Sequence, residues 1–227
     1  MFISDIHSNL HALEEVLAYS KTLGIDEIIC CGDIVGYNAF PRECVDIIRK
    51  NDIACVMGNH DWAAVTGDAS GFNPFGVAGV VYSRAQLNRE DLAFLKRLSS
   101  NIRCEKDGVS LFVVHGSPRD TIFEYVFPDF PDNVFESFNE IVDADVVVMG
   151  HTHIPMERIV GGTIFLNPGS VGQPRDGNPL ASFMVFDTKD DKQYEWYRVV
   201  YDVKAAAEAN RKKGLPTFLA ERLYVGR

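Results

Sequence analysis

A chain of 227 residues, 46% hydrophobic and 24% charged, can bury one sizeable core and has the balance of an ordinary globular protein. Its formal net charge of −10 and lack of a basic run work against a nucleic-acid partner, since that affinity comes from Lys and Arg neutralising phosphates. No apolar run approaches the roughly 20 residues of a membrane span, no basic, cleavable leader precedes the apolar start, and five cysteines without a C-x-x-C pair read as reduced thiols, so a cytoplasmic protein with no membrane or nucleic-acid partner is expected.

No repeat or low-complexity segment divides the chain, and residues 1–227 read as a single domain. In chain order one unit recurs, an apolar run that stops at polar residues. Residues 1–4 end at Asp5, Ile6 and His7; 27–31 at Gly32 and Asp33; 53–57 at Gly58, Asn59, His60 and Asp61. Residues 111–114 end at His115 and Gly116, 145–149 at Gly150, His151, Thr152 and His153, and 163–166 at Asn167, Pro168, Gly169 and Ser170. Short continuous apolar runs fit strands covered on both faces.

Helical patterns separate the first runs. Leu10, Leu13, Val16 and Leu17 line one face of a segment over about 9–23 that Gly24 can end. Pro41 can open a second helix with Cys44, Val45, Ile47 and Ile48 inward, and Asn88 with Asp91 resembles a capping pair ahead of a third. Alternating strands and helices argue an α/β sheet with parallel strands, where ligands gather at the carboxyl ends. Farther on, Lys106-Asp107-Gly108 and Gly161-Gly162 look like hairpin turns, and residues 181–187 and 193–201 like two strands joined by a charged turn. A helical pattern from Val203 breaks at Gly214 and Pro216 and leaves a short tail. The long irregular stretches 67–76 and 117–131 follow polar clusters and are expected to border the site.

Five of the six histidines, His7, His60, His115, His151 and His153, fall in these clusters beside Asp5, Asp33 and Asn59. Imidazole with carboxylate suits divalent transition metals. If the backbone is extended, the outer residues of Asp5-Ile6-His7 and of His151-Thr152-His153 point the same way. Asp33 has two oxygens and could bridge two cations; Asn59 offers a neutral carbonyl oxygen. His11 reads as a helix-surface residue. Pro168-Gly169-Ser170 lacks the first glycine of a G-x-S-x-G elbow, and no phosphate-binding G-x-x-x-x-G-K-[ST] loop exists. Arg175, in a loop rich in Gly and Pro, either caps backbone carbonyls or clamps a substrate phosphate, and Tyr37 is either a packed aromatic or a wall of the pocket. The aromatic stretch Phe123, Tyr125, Phe127 and Phe130 fits a lid, an oligomer contact or a satellite core.

The series D-x-H, G-D, G-N-H-D, H-G and G-H-T-H, in that order from Asp5 to His153, resembles the calcineurin-like metallophosphoesterases. Residues 32–37 (GDIVGY) and 167–176 (NPGSVGQPRD) further resemble its small bacterial and archaeal branch, which includes phosphodiesterases and diadenosine-tetraphosphatase-like proteins. The resemblance implies an α/β (α+β) fold in which two mixed β-sheets pack face to face as a sandwich flanked by helices. It implies two adjacent divalent cations, drawn from manganese, iron, zinc, nickel and cobalt. Asp5, His7, Asp33 and His153 would hold the first, and Asp33, Asn59, His115 and His151 the second. Two such cations outweigh two carboxylates, which would let an acidic protein attract phosphate.

The implied reaction is hydrolysis of a small phosphodiester, phosphoanhydride or phosphomonoester, a nucleotide among them, by direct attack of a metal-bridging hydroxide without a phosphoenzyme. His60 would be the general acid, and Asp61 would hold its other ring nitrogen and favour the protonated form. Competing readings are a Ser/Thr protein phosphatase or nuclease of the same superfamily, and a non-catalytic binding scaffold on the same fold.

Overall fold

Successive side chains of a strand point to opposite faces of its sheet, and here that rule sorts the apolar residues into three layers. The computed structural model describes residues 1–189 and 193–227; the centre of the charged turn expected after residue 187 lies outside the described residues. The first half of the chain runs β1 (Phe2–Ile3), α1 (Leu10–Ser20), β2 (Ile29–Cys30), α2 (Pro41–Lys50), β3 (Ala54–Cys55), α3 (Asn59–Thr66), α4 (Pro74–Gln86) and α5 (Arg89–Lys96). It continues through β4 (Asn101–Lys106), β5 (Val109–Val114), α6 (Asp132–Asn139), β6 (Val146–Val148), β7 (Met156–Val160) and β8 (Thr163–Asn167). The last elements are β9 (Ala181–Asp187), β10 (Gln193–Val199), α7 (Val203–Lys212), α8 (Thr217–Glu221) and a 3₁₀ turn at Arg222–Tyr224.

One sheet has the order β10-β9-β1-β2-β3, with β1, β2 and β3 parallel and the other two antiparallel. The other has the order β4-β5-β6-β8-β7, with β5, β6 and β8 parallel between antiparallel edges. Phe2 and Ile29 of the first sheet, with Cys31 and Val56 just beyond its strands, meet Leu111, Val113, Val146, Val148 and Leu166 of the second in a buried layer between them. The alternate residues face outward. Ile3 and Cys30 pack on Leu13 and Val16 of α1, Cys44, Val45 and Ile48 of α2, and Ala206 and Ala207 of α7. Phe112, Val114, Val147 and Phe165 pack on Phe135 and Phe138 of α6. Two mixed five-stranded sheets thus lie face to face between helices, as the family resemblance implied. Each fully buried Phe contributes on the order of 1.5–3 kcal/mol.

The expected turns form where residues that tolerate positive φ stand. Asp107 and Gly108 (φ 50° and 79°) close the β4–β5 hairpin. The Asn88–Asp91 pair does form a reciprocal cap on α5. Three expectations need correction. The irregular stretch from residue 67 ends early, because Asn73 accepts from the N–H groups of Phe75 and Gly76 and Pro74 opens α4. The G-N-H-D tetrad does not simply end a strand: Gly58 caps α3, and Asn59 is its first residue. The C-terminal residues are no tail either. Leu219 of α8 and Leu223 are buried, and Leu215 and Leu219 pack against Tyr37. Among the described residues no helix is long and apolar enough to cross a membrane.

Candidate metal centre

The parallel strands of both sheets end at one rim, and every polar cluster singled out above lies there. Asp5 and His7 follow β1, Asp33 follows β2, Asn59 and His60 open α3 after β3, His115 follows β5, and His151 and His153 follow β6. Their backbones are not extended as the D-x-H and H-T-H reading assumed. Asp5 (φ 52°), His7 (47°), Asp33 (55°), His151 (68°) and His153 (63°) all take left-handed conformations, each costing roughly 1–2 kcal/mol for a residue with a Cβ. Such outliers persist only where the surroundings over-determine them, and they concentrate at functional sites. Here loop-to-loop bonds hold them: Asp5 N–H to Gly32 O (3.0 Å), His7 N–H to Asp33 O (2.9 Å) and Gly172 N–H to Asp5 O (3.0 Å).

Four imidazoles each spend one ring nitrogen on a backbone carbonyl. His7 Nδ1 lies 3.1 Å from Val35 O, His115 Nδ1 2.8 Å from Cys31 O, His153 Nδ1 2.6 Å from Gln173 O, and His151 Nε2 3.1 Å from Phe123 O. A carbonyl only accepts, so those nitrogens carry the hydrogens and the opposite nitrogens of the neutral rings present lone pairs. All four lone pairs turn inward. His7 Nε2 stands 3.0 Å from His153 Nε2, and His115 Nε2 3.0 Å from both His151 Nδ1 and Asn59 Oδ1. Asp5 Oδ1 lies 3.2 Å from His153 Nε2 and 3.7 Å from His7 Nε2. Asp33 Oδ2 lies between the two groups, 3.5 Å from His7 Nε2 and 3.4 Å from His115 Nε2.

Asp5 Oδ1 and Asp33 Oδ2 are buried without a hydrogen-bond partner, whereas the other oxygens of these carboxylates are occupied. Asp5 Oδ2 accepts from Ser4 Oγ–H and His151 N–H, and Asp33 Oδ1 from His60 N–H. A buried centre made almost wholly of acceptors is costly unless something positive occupies it. Asp5, His7 and His153 make one group able to hold a metal, and Asp33, His115 and His151 another. The donor set fits a divalent transition metal, and the titration behaviour points the same way. Burial pushes Asp5 up, yet His153, His115 and Ser4 bring it down to about 2. Burial pushes His115 down, yet Asp33 and Asp5 raise it to about 10, so without a metal the centre draws a proton as its cation.

His60 and Asp61 depart from expectation. Asp61 does not hold His60. Its Oδ1 accepts from Val35 N–H and its Oδ2 from Gly58 N–H, both at 3.1 Å, so the carboxylate closes the start of α3, and His60 Nδ1 is buried with no partner. A carboxylate at the third residue of a helix is within reach of the cap N–H, and this contact wins over the adjacent ring. The expected bias toward protonated His60 is also absent. Burial, with Arg175, His153 and His115 outweighing Asp33, lowers His60 to about 4, while burial and Asp33 lift Asp61 to about 7. Ring contacts set the His60 plane instead, with centroids 4.7 Å from His7, 4.5 Å from Tyr37 and 4.7 Å from Phe72.

Arg175 and Tyr37 are brought to this centre. Tyr37 is buried, its ring 4.6 Å from that of His7, and Arg175 donates to the Tyr37 hydroxyl at 3.3 Å. The 117–131 loop borders the centre as anticipated: Phe123 supplies the carbonyl that holds His151, and Tyr125 stacks on the His151 ring at 3.6 Å. His11 faces Phe40 instead. Ser170 donates to Asp5 O, a bracing role. Several contributors were not singled out along the chain. The carbonyls of Cys31, Val35, Phe123 and Gln173 act through the backbone, where side-chain identity is silent. Phe72 lay within a stretch expected to border the site, and Arg222, close to Tyr37, lay in what read as a tail.

A model of the calcineurin-like phosphoesterase superfamily domain matches residues 1–191. MJ0912 of Methanocaldococcus jannaschii is 41% identical over 242 residues, spanning 99% of this chain and 97% of that one. The phosphodiesterase YfcE of Escherichia coli is 29% identical over 194 residues, spanning 82% and 86%. The crystal structure of a metallophosphoesterase from Sphaerobacter thermophilus is similar with a TM-score of 0.82 at 36% identity, covering 100% of this chain and 98% of that one.

Proposed function

Because the chain belongs to the calcineurin-like phosphoesterase superfamily and is a hydrolase of phosphoester bonds, we propose that it cleaves a small phosphoester with two neighbouring divalent cations. Asp5, His7, Asp33 and His153 would hold one, and Asp33, Asn59, His115 and His151 the other. The observation that carries this reading is the inward-facing acceptor set, with its two partnerless carboxylate oxygens. The mixed nitrogen and oxygen donors suit manganese, iron, zinc, nickel or cobalt. When bound, such cations supply Lewis acidity toward phosphoryl oxygens and bring the pKa of a water toward neutrality.

The chain's own residues do the rest. The carbonyls of Val35, Cys31, Gln173 and Phe123 fix the tautomer and direction of each imidazole, so the donor set needs little rearrangement. His60 gives a proton to the departing oxygen, a contribution of roughly 10²–10⁴-fold. Since burial holds His60 neutral near pH 7, this role depends on the negative charge of a bound phosphate to raise its pKa. Asp61 fixes the first turn of α3. Arg175 meets a substrate phosphate while leaning on Tyr37. The reaction uses no protein nucleophile and inverts at phosphorus.

The likeness to a protein named as a phosphodiesterase favours a diester as first substrate, ahead of an anhydride or monoester. In this reading residues 1–227 act as one domain in the cytoplasm. The test is turnover by metal-depleted and manganese-loaded protein. The panel is bis-p-nitrophenyl phosphate, p-nitrophenyl phosphate, a dinucleoside polyphosphate and a phosphopeptide. Diester hydrolysis that disappears with chelator and returns with manganese is expected. Phosphopeptide hydrolysis alone would favour a protein phosphatase, and inactivity throughout with two metals bound would favour a binding scaffold.

A further inference from the structure

Two guanidinium groups from distant parts of the chain face one aromatic ring. Arg175 Cζ lies 5.7 Å and Arg222 Cζ 5.8 Å from the centroid of Tyr37. Arg175 sits in the loop after β8. Arg222 opens the 3₁₀ turn near the C-terminus, beyond residues 1–191 that match the superfamily model. The segment that carries it is anchored by Leu215, Leu219 and Leu223, all buried.

Among the described residues neither cation is paired with an Asp or Glu side chain. Arg175 donates to the Tyr37 hydroxyl and to Gln173 Oε1 (3.2 Å), and its Nε is buried without a partner. Arg222 donates through Nε to the main-chain oxygen of Arg227, the last residue of the given sequence, and lies over Phe218, 5.2 Å from the ring centroid. Asp176, the residue after Arg175, pairs with Arg198 instead. Asp and Glu are otherwise abundant, in a chain whose net charge is −10. Burial, and then the charge of Arg175, lower Arg222 to about 10. Two half-buried like charges facing one ring repel each other, and an anion shared between them would remove the repulsion.

The same ring touches His7 and His60 on the centre's side. An anion held by the two arginines would therefore sit one ring's breadth from the phosphate being cleaved, close enough to belong to the same molecule.

We propose that Arg175 and Arg222 form a second anion subsite, so that the preferred substrate carries a further phosphate beside the one that is hydrolysed. The inference rests on the metal-dependent reading above and narrows it. It also gives the C-terminal segment a part in choosing the substrate.

The test compares two inhibitors of bis-p-nitrophenyl phosphate hydrolysis, orthophosphate and methylenebisphosphonate, with manganese in excess. In Arg222→Gln the inhibition constant for the bisphosphonate should rise about tenfold relative to that for orthophosphate, the scale of one lost charge-assisted contact. Arg222→Lys should recover part of the difference, and Arg175→Gln should reproduce it. Arg211→Gln, on the exposed face of α7, removes the same charge elsewhere and should keep the wild-type ratio.

An unchanged ratio in Arg222→Gln, or an equal loss in Arg211→Gln, overturns the subsite. Should Arg222→Gln fail to fold, the Arg175→Gln and Arg222→Lys ratios decide. Calorimetry of both inhibitors on manganese-loaded protein separates the two ideas. Lack of turnover with a wild-type preference for the bisphosphonate that needs Arg222 sinks only the catalytic reading. Turnover with no such preference sinks only the subsite.

Discussion

Replacing Asp33 by Asn tests the centre with the least disturbance. The introduced carbonyl can still accept from His60 N–H, now 2.8 Å from Oδ1, while the amide nitrogen takes the place of Oδ2, 3.5 Å from His7 Nε2 and 3.4 Å from His115 Nε2. There it donates to lone pairs that a cation would otherwise meet. One of two buried carboxylates is lost, and the ligand that the proposed cations would share becomes neutral. Changes to groups that only support metal ligands already cost about 10–100-fold in affinity, so loss of a shared ligand costs at least about 100-fold at each cation.

The consequence for stability follows from mass action. At a metal concentration about 100 times Kd, a site stabilises the fold by about 2.7 kcal/mol, and at a concentration equal to Kd by about 0.4 kcal/mol. For a chain of this size 1 kcal/mol moves Tm by about 2–4 °C. Manganese should therefore raise the wild-type Tm by about 5–10 °C per site and that of Asp33→Asn by about 1–2 °C per site. The metal-free Tm of the variant should be lower than that of wild type, because Asp33 is the chief group that keeps His115 protonated and the amide removes that pairing. Thermal melts with and without manganese, paired with metal analysis of the dialysed protein, read both quantities. Two full equivalents of metal in Asp33→Asn, with a wild-type response to manganese, would refute the shared-ligand argument.

His60→Gln should keep both metals and lose roughly 10²–10⁴-fold in turnover. The loss should be larger for phenyl than for p-nitrophenyl esters, because a poor leaving group needs the proton more; an equal loss for both would remove His60 as the acid. Asp61→Asn should show no such leaving-group dependence, since its carboxylate bonds to the N–H groups of Val35 and Gly58 rather than to the ring. If its kinetics matched those of His60→Gln, Asp61 would be acting through the imidazole after all. Tyr201 gives a pH test away from the centre. Burial, only partly offset by the Asn9 side chain, raises its phenol from the ordinary value of 10 to about 12. The folded state keeps a proton that the unfolded state releases, so this contribution to stability is complete below pH 10 and is lost as pH rises through 12. Denaturant titrations at pH 9 and pH 11 should show a smaller decline for Tyr201→Phe than for wild type, and equal declines would count against the assignment.

Much of the site could be read along the chain because its signal is local. Each donor stands just after an apolar run, and in a sheet with parallel strands such positions collect at the carboxyl rim whatever the details of packing. The motifs from Asp5 to His153 therefore fall on residues that the fold brings together, although their backbones are not extended. His151 and His153 illustrate the gap. Only two positions apart, both left-handed, they turn toward different halves of the centre.

Identity and order of the donors, the apolar runs and the turn residues were thus settled by the amino-acid sequence alone, since strand pleat, capping and metal-ligand chemistry act through the residue itself or its near neighbours. Partner choice belonged to the tertiary structure. Asp61 could have met a ring nitrogen of the neighbouring His60 or the N–H groups of a helix start, and the loop from β2 brought Val35 into reach. Which ring nitrogen faces a metal was decided by carbonyls many positions away, and Arg222 reached Tyr37 only when α8 folded back over it. Backbone groups are chemically alike at every residue, so which of them meet is decided by the fold.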